Sequence, residues 1–246
     1  YHLQEHNRFL KLNKRRVNLK KPSLSIVIPT YNEKDNISKI LEKLKEALKG
    51  ITHEIIFVDD NSPDETSREI KFFMRRSSNI RLVHRIGRRG LSGAVIEGFF
   101  AANSELVAVM DCDLQHDETK LSDMLDLFSK STSLDIVIAS RFTEEGEISD
   151  VAFSKVRKLG SKITTFLVKK LLNINSSDPL SGFFMVKKET FLKSTDKLQT
   201  QGFKILADFL ATEGKNIEIK ELGYKFKNRI AGESKMSFLT ALELIG

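Results

Sequence analysis

Hydrophobic and polar positions along this chain fall into short β-branched runs that alternate with stretches of helical period. Leu24 to Ile28, Glu54 to Val58, Ile80 to Val83, Leu106 to Met110 and Asp135 to Ala139 are largely apolar and of strand length. Strands covered on both faces read as near-continuous apolar runs, which is the habit of parallel sheets. Between them, Asn36 to Leu48, Pro63 to Arg76, Leu91 to Ala102 and Glu118 to Lys130 carry apolar residues at helical spacing. This alternation predicts an α/β fold: a mostly parallel, Rossmann-like, doubly wound sheet with right-handed crossovers and helices on both faces. Ser62 before Pro63 reads as a helix start, the serine capping and the proline in the first turn. After Ser140 the pattern predicts helices at Phe153 to Leu172 and Gly202 to Glu213 and a strand over Asn216 to Phe226, completing the same domain.

Three of the predicted strands end in residues that a buried sheet does not need. These are Pro29-Thr30-Tyr31-Asn32-Glu33, Asp59-Asp60-Asn61-Ser62-Pro63-Asp64 and Asp111-Cys112-Asp113-Leu114-Gln115-His116. In open α/β sheets the carboxyl edge of the strands is where ligands bind. If the chain stays extended through Asp113, Asp111 and Asp113 share one side and Cys112 takes the other. Two close carboxylates repel, and Mg²⁺ or Mn²⁺ relieves the repulsion while preferring oxygen ligands, to which the Gln115 amide adds a neutral one. The competing reading is a solvated acidic turn that caps a helix. A carboxylate at Asp59 has the chemistry to accept hydrogen bonds from a nucleobase or ribose. His116 reads equally as a residue behind the acidic pair or as a helix-entry or surface histidine. Gly87, Gly90, Gly93 and Gly98 do not form a dinucleotide-binding fingerprint; they read as a flexible turn and close helix packing.

Composition narrows the function classes. A single cysteine, Cys112, excludes an intrachain disulfide framework and fits a reducing compartment. No apolar run is long enough for a membrane span, and none has the layout of a secretory signal. The net charge of +7 lies almost wholly in the first 21 residues, where Arg8, Lys11, Lys14, Arg15, Arg16, Lys20 and Lys21 face Glu5 alone. Such a segment suits anionic lipid headgroups or serves as a solubilising tail. Nucleic acid is not expected as a partner, since there is no zinc spacing, no aromatic RNA-binding signature and no basic face through the body. The chain begins at Tyr1 rather than Met and stops at Gly246 inside an apolar helical pattern, Met236 to Ile245, as a fragment would.

Taken in order, the three strand-end motifs resemble those of inverting GT-A glycosyltransferases of family 2, and within that family the dolichol-phosphate mannose synthases. Ala139-Ser140-Arg141, Ser177-Asp178-Pro179-Leu180-Ser181-Gly182-Phe183-Phe184 and Arg229-Ile230-Ala231-Gly232-Glu233-Ser234-Lys235 continue the resemblance, which runs from about Leu24 to the C-terminus. It implies a GT-A fold and transfer of a hexose, mannose from GDP-mannose, to dolichyl or another polyprenyl phosphate with inversion. It implies that Pro29, Tyr31, Glu33 and Asp59 surround the nucleoside, and that Asp111, Asp113 and Gln115 position Mg²⁺ or Mn²⁺ and the diphosphate. Arg229 and Lys235 would close over the donor phosphates, and Arg141, Arg157 and Ser161 would meet the acceptor phosphate. The catalytic set so implied is Asp111, Asp113, Arg141, Arg229 and Lys235. An acceptor phosphate has a second pKa of about 6 and is largely dianionic near neutrality, so no general base is required.

The domain organisation expected is a basic extension over residues 1–22 and a catalytic domain over 23–246, with an acceptor loop and membrane-proximal helix from about residue 225. The implied location is peripheral, on the cytoplasmic face of a membrane, with anchoring left to a segment or subunit outside this chain. Asp117-Glu118 stand where relatives often carry prolines. A chain without Trp lacks the Gln-x-x-Arg-Trp motif of processive polysaccharide synthases. The runner-up is a polyprenyl-phosphate glucosyltransferase using UDP-glucose; from another class, an inactive membrane or nucleic-acid adaptor built on the same fold.

Overall fold

Strands and helices alternate from Leu24 to Ser140 as the hydrophobic pattern requires. The computed structural model describes residues 21–143, 147–148, 176–200 and 205–227. In chain order these hold β1 (Leu24–Thr30), α1 (Lys34–Ala47), β2 (His53–Asp59), α2 (Thr66–Met74), β3 (Ile80–His84), α3 (Leu91–Ala101), β4 (Leu106–Val109), α4 (Lys120–Lys130) and β5 (Leu134–Ser140). There follow β6 (Glu147–Ile148), β7 (Phe184–Lys187), α5 (Lys188–Ser194), a 3₁₀ turn (Thr195–Lys197), α6 (Ile205–Glu213), β8 (Glu218–Gly223) and β9 (Lys225–Phe226). Residues 1–20 of the basic extension, the helix expected at Phe153 to Leu172, and the stretch from Met236 to Ile245 lie outside the described residues.

Seven strands form one sheet in the order β3-β2-β1-β4-β7-β5-β8, and β6 pairs with β9 in a second, two-stranded sheet. All pairings in the large sheet are parallel except those of β7, which runs antiparallel between β4 and β5. Alternation along the strands divides the core in two. Ile26 and Ile28 of β1, Phe57 of β2 and Met110 after β4 face α1 and α4 through Ile40, Leu44, Leu121 and Met124. Val27, Val58 and Val109 face α3, α5 and α6 through Val95, Phe99, Phe191 and Phe209. Gly98 lets α3 lie directly on β1, because a Cβ there would collide with the Val27 side chain. The glycine thus serves the close helix packing that its place in an apolar helix suggests.

In the order 3-2-1-4 the chain passes from β1 to β2 on one side of β1, while β4 lies parallel on its other side, so the loops after β1 and β4 stand side by side at the carboxyl edge. Such a switch point opens a crevice at the carboxyl edge, and the first and third motif loops flank it here.

Candidate active site

Each motif loop turns sharply through a residue in the left-handed region: Asn32 (φ 56°) after β1, Asn61 (φ 55°) after β2 and Leu114 (φ 63°) after β4. Asn tolerates that conformation, whereas a leucine there is strained. At Leu114 two features oppose the strain. Its side chain is buried in the core, and Asp113 Oδ1 accepts the Gln115 N–H at 3.1 Å, closing the local turn that Asp side chains favour.

The first two loops are laced together by the second loop's side chains. Three consecutive backbone N–H groups, those of Asn32, Glu33 and Lys34, donate to Ser62 Oγ (3.0 Å), Thr66 Oγ1 (3.0 Å) and Asp64 Oδ2 (3.1 Å). Asp64 also accepts the N–H and hydroxyl of Thr66. Burial alone would raise its pKa, but the Thr66 and Lys34 hydrogen bonds outweigh burial and hold it below the usual carboxylate value. This corrects the helix start expected at Ser62-Pro63. The helix begins at Thr66: the Ser62 hydroxyl oxygen, which a cap would offer to a helix N–H, accepts the Asn32 N–H instead, while its proton goes to Asp59 Oδ1 at 2.5 Å.

Asp59 is fully buried. Its Oδ1 accepts from Thr30 Oγ1 (3.2 Å) and Ser62 Oγ, and its Oδ2 from the Ser62 N–H (3.1 Å) and Ser67 Oγ (2.6 Å). Four donors fill the acceptor capacity of a carboxylate. In this structure the carboxylate shapes the loop beside the crevice. Pro29, Tyr31 and Glu33 remain partly exposed at the crevice. The Arg89 guanidinium lies over the Tyr31 ring, 4.9 Å from its centroid, and Asn36 Nδ2 donates to Glu33 Oε2 at 2.7 Å.

At the end of β4 the Asp111 side chain is 41% exposed, while Asp113 is 7% exposed and Cys112 is buried. The Asp111 N–H donates to His116 Nδ1 at 3.2 Å. This places the imidazole proton on Nε2, which faces Asp111 Oδ2 at 3.7 Å. His116 is buried and stacks on Phe183 at 5.2 Å, so the surface alternative for this histidine falls. Gln115 Nε2 donates to the Lys227 carbonyl (3.0 Å), and the Lys227 N–H donates to the Gln115 carbonyl (2.9 Å). The chain after β9 is thereby tied to the acidic motif.

Burial pushes the His116 pKa down to about 4, with Asp113 opposing the shift and Arg141 adding to it. A histidine whose folded pKa is depressed contributes stability that is complete above its unfolded value of about 6.5 and is lost as pH falls toward the folded one. Between pH 7 and 5 the wild-type protein should lose about 2 kcal/mol more unfolding free energy than His116→Gln. Denaturant titrations at several pH values measure this, and parallel losses for the two proteins would contradict it.

At the end of β5 the Arg141 side chain, 16% exposed, forms a two-pronged pair with fully buried Asp178. Nε and Nη2 donate at 2.7 and 2.8 Å, and the Arg141 backbone N–H adds a third bond at 3.2 Å. Burial opposes the guanidinium charge, but the Asp178 pair outweighs burial and keeps it on. The loop carrying Asp178 is fastened by Glu221 of β8, whose Oε1 accepts from Ser176 Oγ and the Ser177 N–H, each at 2.6 Å. Sequence reasoning placed no role on Asp178 or Glu221. Asp178 sat inside a recognised motif, which was the available signal; Glu221 gave none. Arg157, Ser161, Arg229 and Lys235 lie outside the described residues.

No three His, Cys, Asp or Glu side chains among the described residues converge as a complete metal cage. Mg²⁺ is ordinarily held by one or two carboxylates with substrate phosphates and water completing its shell. Asp111, Asp113 and the amide of Gln115 are hard donors of that kind. Gly182 keeps the flank of Asp111 clear, since a Cβ there would lie 2.7 Å from Oδ2. The residues fit a divalent cation shared with a phosphate ligand.

Residues 25–194 match the family model described as Glycosyl transferase family 2. A curated relative, the dolichol-phosphate mannosyltransferase of Pyrococcus furiosus, is 34% identical over 226 residues, covering 90% of this chain. The chain spans 61% of that relative's length. The enzyme of the same name from Saccharomyces cerevisiae is 31% identical over 221 residues, covering 87% of this chain and 80% of its own. Among solved structures, glucosyl-3-phosphoglycerate synthase from Mycobacterium tuberculosis with Mn²⁺, UDP and phosphoglyceric acid superposes with a TM-score of 0.66 at 16% identity, covering 90% of this chain and 74% of that one. The likeness is one of fold, GT-A.

Proposed function

The chain belongs to glycosyl transferase family 2, and from that premise we propose that it moves mannose from GDP-mannose to dolichyl or a related polyprenyl phosphate, with inversion. The observation that carries this reading is the meeting of two oppositely charged groups at one sheet edge. Asp111 and Asp113 follow β4, Arg141 follows β5, and Asp111 acts on the charge of Arg141. Carboxylates suit a cation-bridged diphosphate, and a guanidinium suits an anionic acceptor. Mannose and dolichyl phosphate come from the names of the relatives.

Asp111, Asp113 and Gln115 would hold Mg²⁺ or Mn²⁺, which supplies charge neutralisation to a departing diphosphate. Pro29, Tyr31, Glu33 and Asp59 are assigned to the nucleoside side of the crevice, and the four hydrogen bonds to Asp59 hold that wall in shape. Arg141, fixed by Asp178, orients the acceptor phosphate, and Arg157 and Ser161 are assigned to the same group. The acceptor arrives as a dianion, so no side chain need remove a proton. One of its oxygens forms the new bond to the anomeric carbon as the bond to the diphosphate oxygen breaks on the opposite face, and configuration inverts. Arg229 and Lys235 are assigned to the leaving phosphates; their segment departs from Lys227, which is hydrogen-bonded to Gln115.

A polyprenyl acceptor requires work at a membrane surface, on the cytoplasmic face in this proposal. The basic extension over residues 1–22 supplies attraction to anionic lipid, and a segment or subunit outside this chain supplies anchoring. No helix among the described residues is long and apolar enough to cross a membrane. The test offers GDP-mannose and UDP-glucose separately, with Mn²⁺ and a polyprenyl phosphate, and identifies the glycolipid. Mannosyl-phosphoryl lipid of inverted configuration from GDP-mannose is expected. A glucosyl product would replace the sugar, retained configuration would overturn the displacement, and lipid binding indifferent to nucleotide, without product, would favour the adaptor.

A further inference from the structure

Tyr224, between β8 and β9, is 2% exposed, yet its hydroxyl has no hydrogen-bond partner among the described residues. Buried hydroxyls are nearly always paired, and each exception calls for a cause. Packing does not supply one. The ring stands edge-on to His116 (centroids 5.9 Å apart), Phe183 (5.8 Å) and Phe226 (6.2 Å), contacts that phenylalanine would make equally well without an orphaned oxygen.

The position of the residue is informative. Its N–H donates to the Ser140 carbonyl at 3.2 Å, one residue before Arg141. His116 contacts Asp111, and Phe183 follows Gly182, which lies against the Asp111 carboxylate. The charges acting on the hydroxyl are those of Arg141, Asp178, Asp111 and Asp113. Burial raises its pKa, so the phenol stays protonated and can donate.

We propose that the Tyr224 hydroxyl donates a hydrogen bond to a phosphate oxygen of the bound substrate beside Arg141. The inference rests on the phosphate acceptor and donor named above. Two phosphates meet at this edge, that of the acceptor and those of the nucleotide, and both offer the same anionic oxygen.

The experiment compares wild type with Tyr224→Phe, which removes only the hydroxyl. Calorimetry measures binding of farnesyl phosphate and, separately, of GDP with Mn²⁺; thermal unfolding is followed on the same samples. Farnesyl phosphate should bind about tenfold more weakly to the variant, as expected for a hydrogen bond to a charged group, and GDP with Mn²⁺ should bind equally. The unfolding midpoint should hold or rise, because no internal bond is lost. A loss confined to GDP with Mn²⁺ would support the hydrogen bond and assign it to the donor phosphates. Unchanged affinity for both probes would overturn the proposal, as would a lower midpoint with affinities intact, which marks a structural hydroxyl. A wild type that binds neither probe would overturn the proposed function itself, and this inference with it.

Discussion

Asp113→Asn should slow sugar transfer at least about a hundredfold and abolish the Mn²⁺ dependence of GDP binding, while the protein stays folded. The substitution separates two duties of one side chain. Asp113 Oδ1 accepts the Gln115 N–H and so supports the left-handed turn at Leu114. Asparagine keeps an oxygen at that position and nearly the same volume, so the turn survives at a cost of about 1 kcal/mol or less. The negative charge is lost. A hard cation with few protein ligands depends on each anionic one, and Asp111, exposed at the crevice, does not replace it alone. Calorimetric titration of GDP with and without Mn²⁺ measures the effect. Full Mn²⁺ dependence in a folded Asp113→Asn protein would remove Asp113 from the site.

The second large effect falls on a residue with no role in the sequence reading. Asp178→Ala leaves the Arg141 guanidinium largely buried without its carboxylate and deletes an acceptor of three N–H groups. Breaking a buried charge pair by removing one member costs about 3–5 kcal/mol, a drop in unfolding midpoint on the order of 10 °C for a chain of this size. Asp178→Asn retains the shape and an acceptor oxygen, and it should lose less stability than the alanine variant. Both should raise the KM for a polyprenyl phosphate, since Arg141 is no longer held in place. Equal stability of wild type and Asp178→Ala in a denaturant titration would mean that the pair contributes nothing net.

The elements up to β5 could be read from hydrophobic period because each is a repeating burial pattern set by its own residues. β7 could not. Phe184-Met185-Val186-Lys187 is four residues long and runs without a turn into α5, and so short an apolar run fits helix or strand equally. Its antiparallel seat between β4 and β5 is a sheet-level fact, decided by which edges were left to pair. The start of α2 was misplaced for a related reason. Ser62 has the chemistry of a cap, but its oxygen accepts the N–H of Asn32 from the first motif loop rather than one of its own helix.

The same division runs through the site. That the acidic and amide groups of three motifs gather at one carboxyl edge followed from their places after predicted strands, since a parallel sheet delivers all such ends to one side. Which groups face a ligand did not follow. Asp59 turns inward to four donors and Asp111 faces outward, although both stand at strand ends in similar sequence surroundings. Arg141 finds its carboxylate 37 positions away, and Tyr224 reaches the rear of the acidic motif from β8 and β9. The sequence by itself determined the layered sheet and the edge that carries the chemistry, because burial period and strand polarity are local properties. Only the tertiary structure decided which charges are paired inside the protein and which lie exposed at the crevice, because a carboxylate's surroundings depend on the donors that distant segments bring within 3 Å of it.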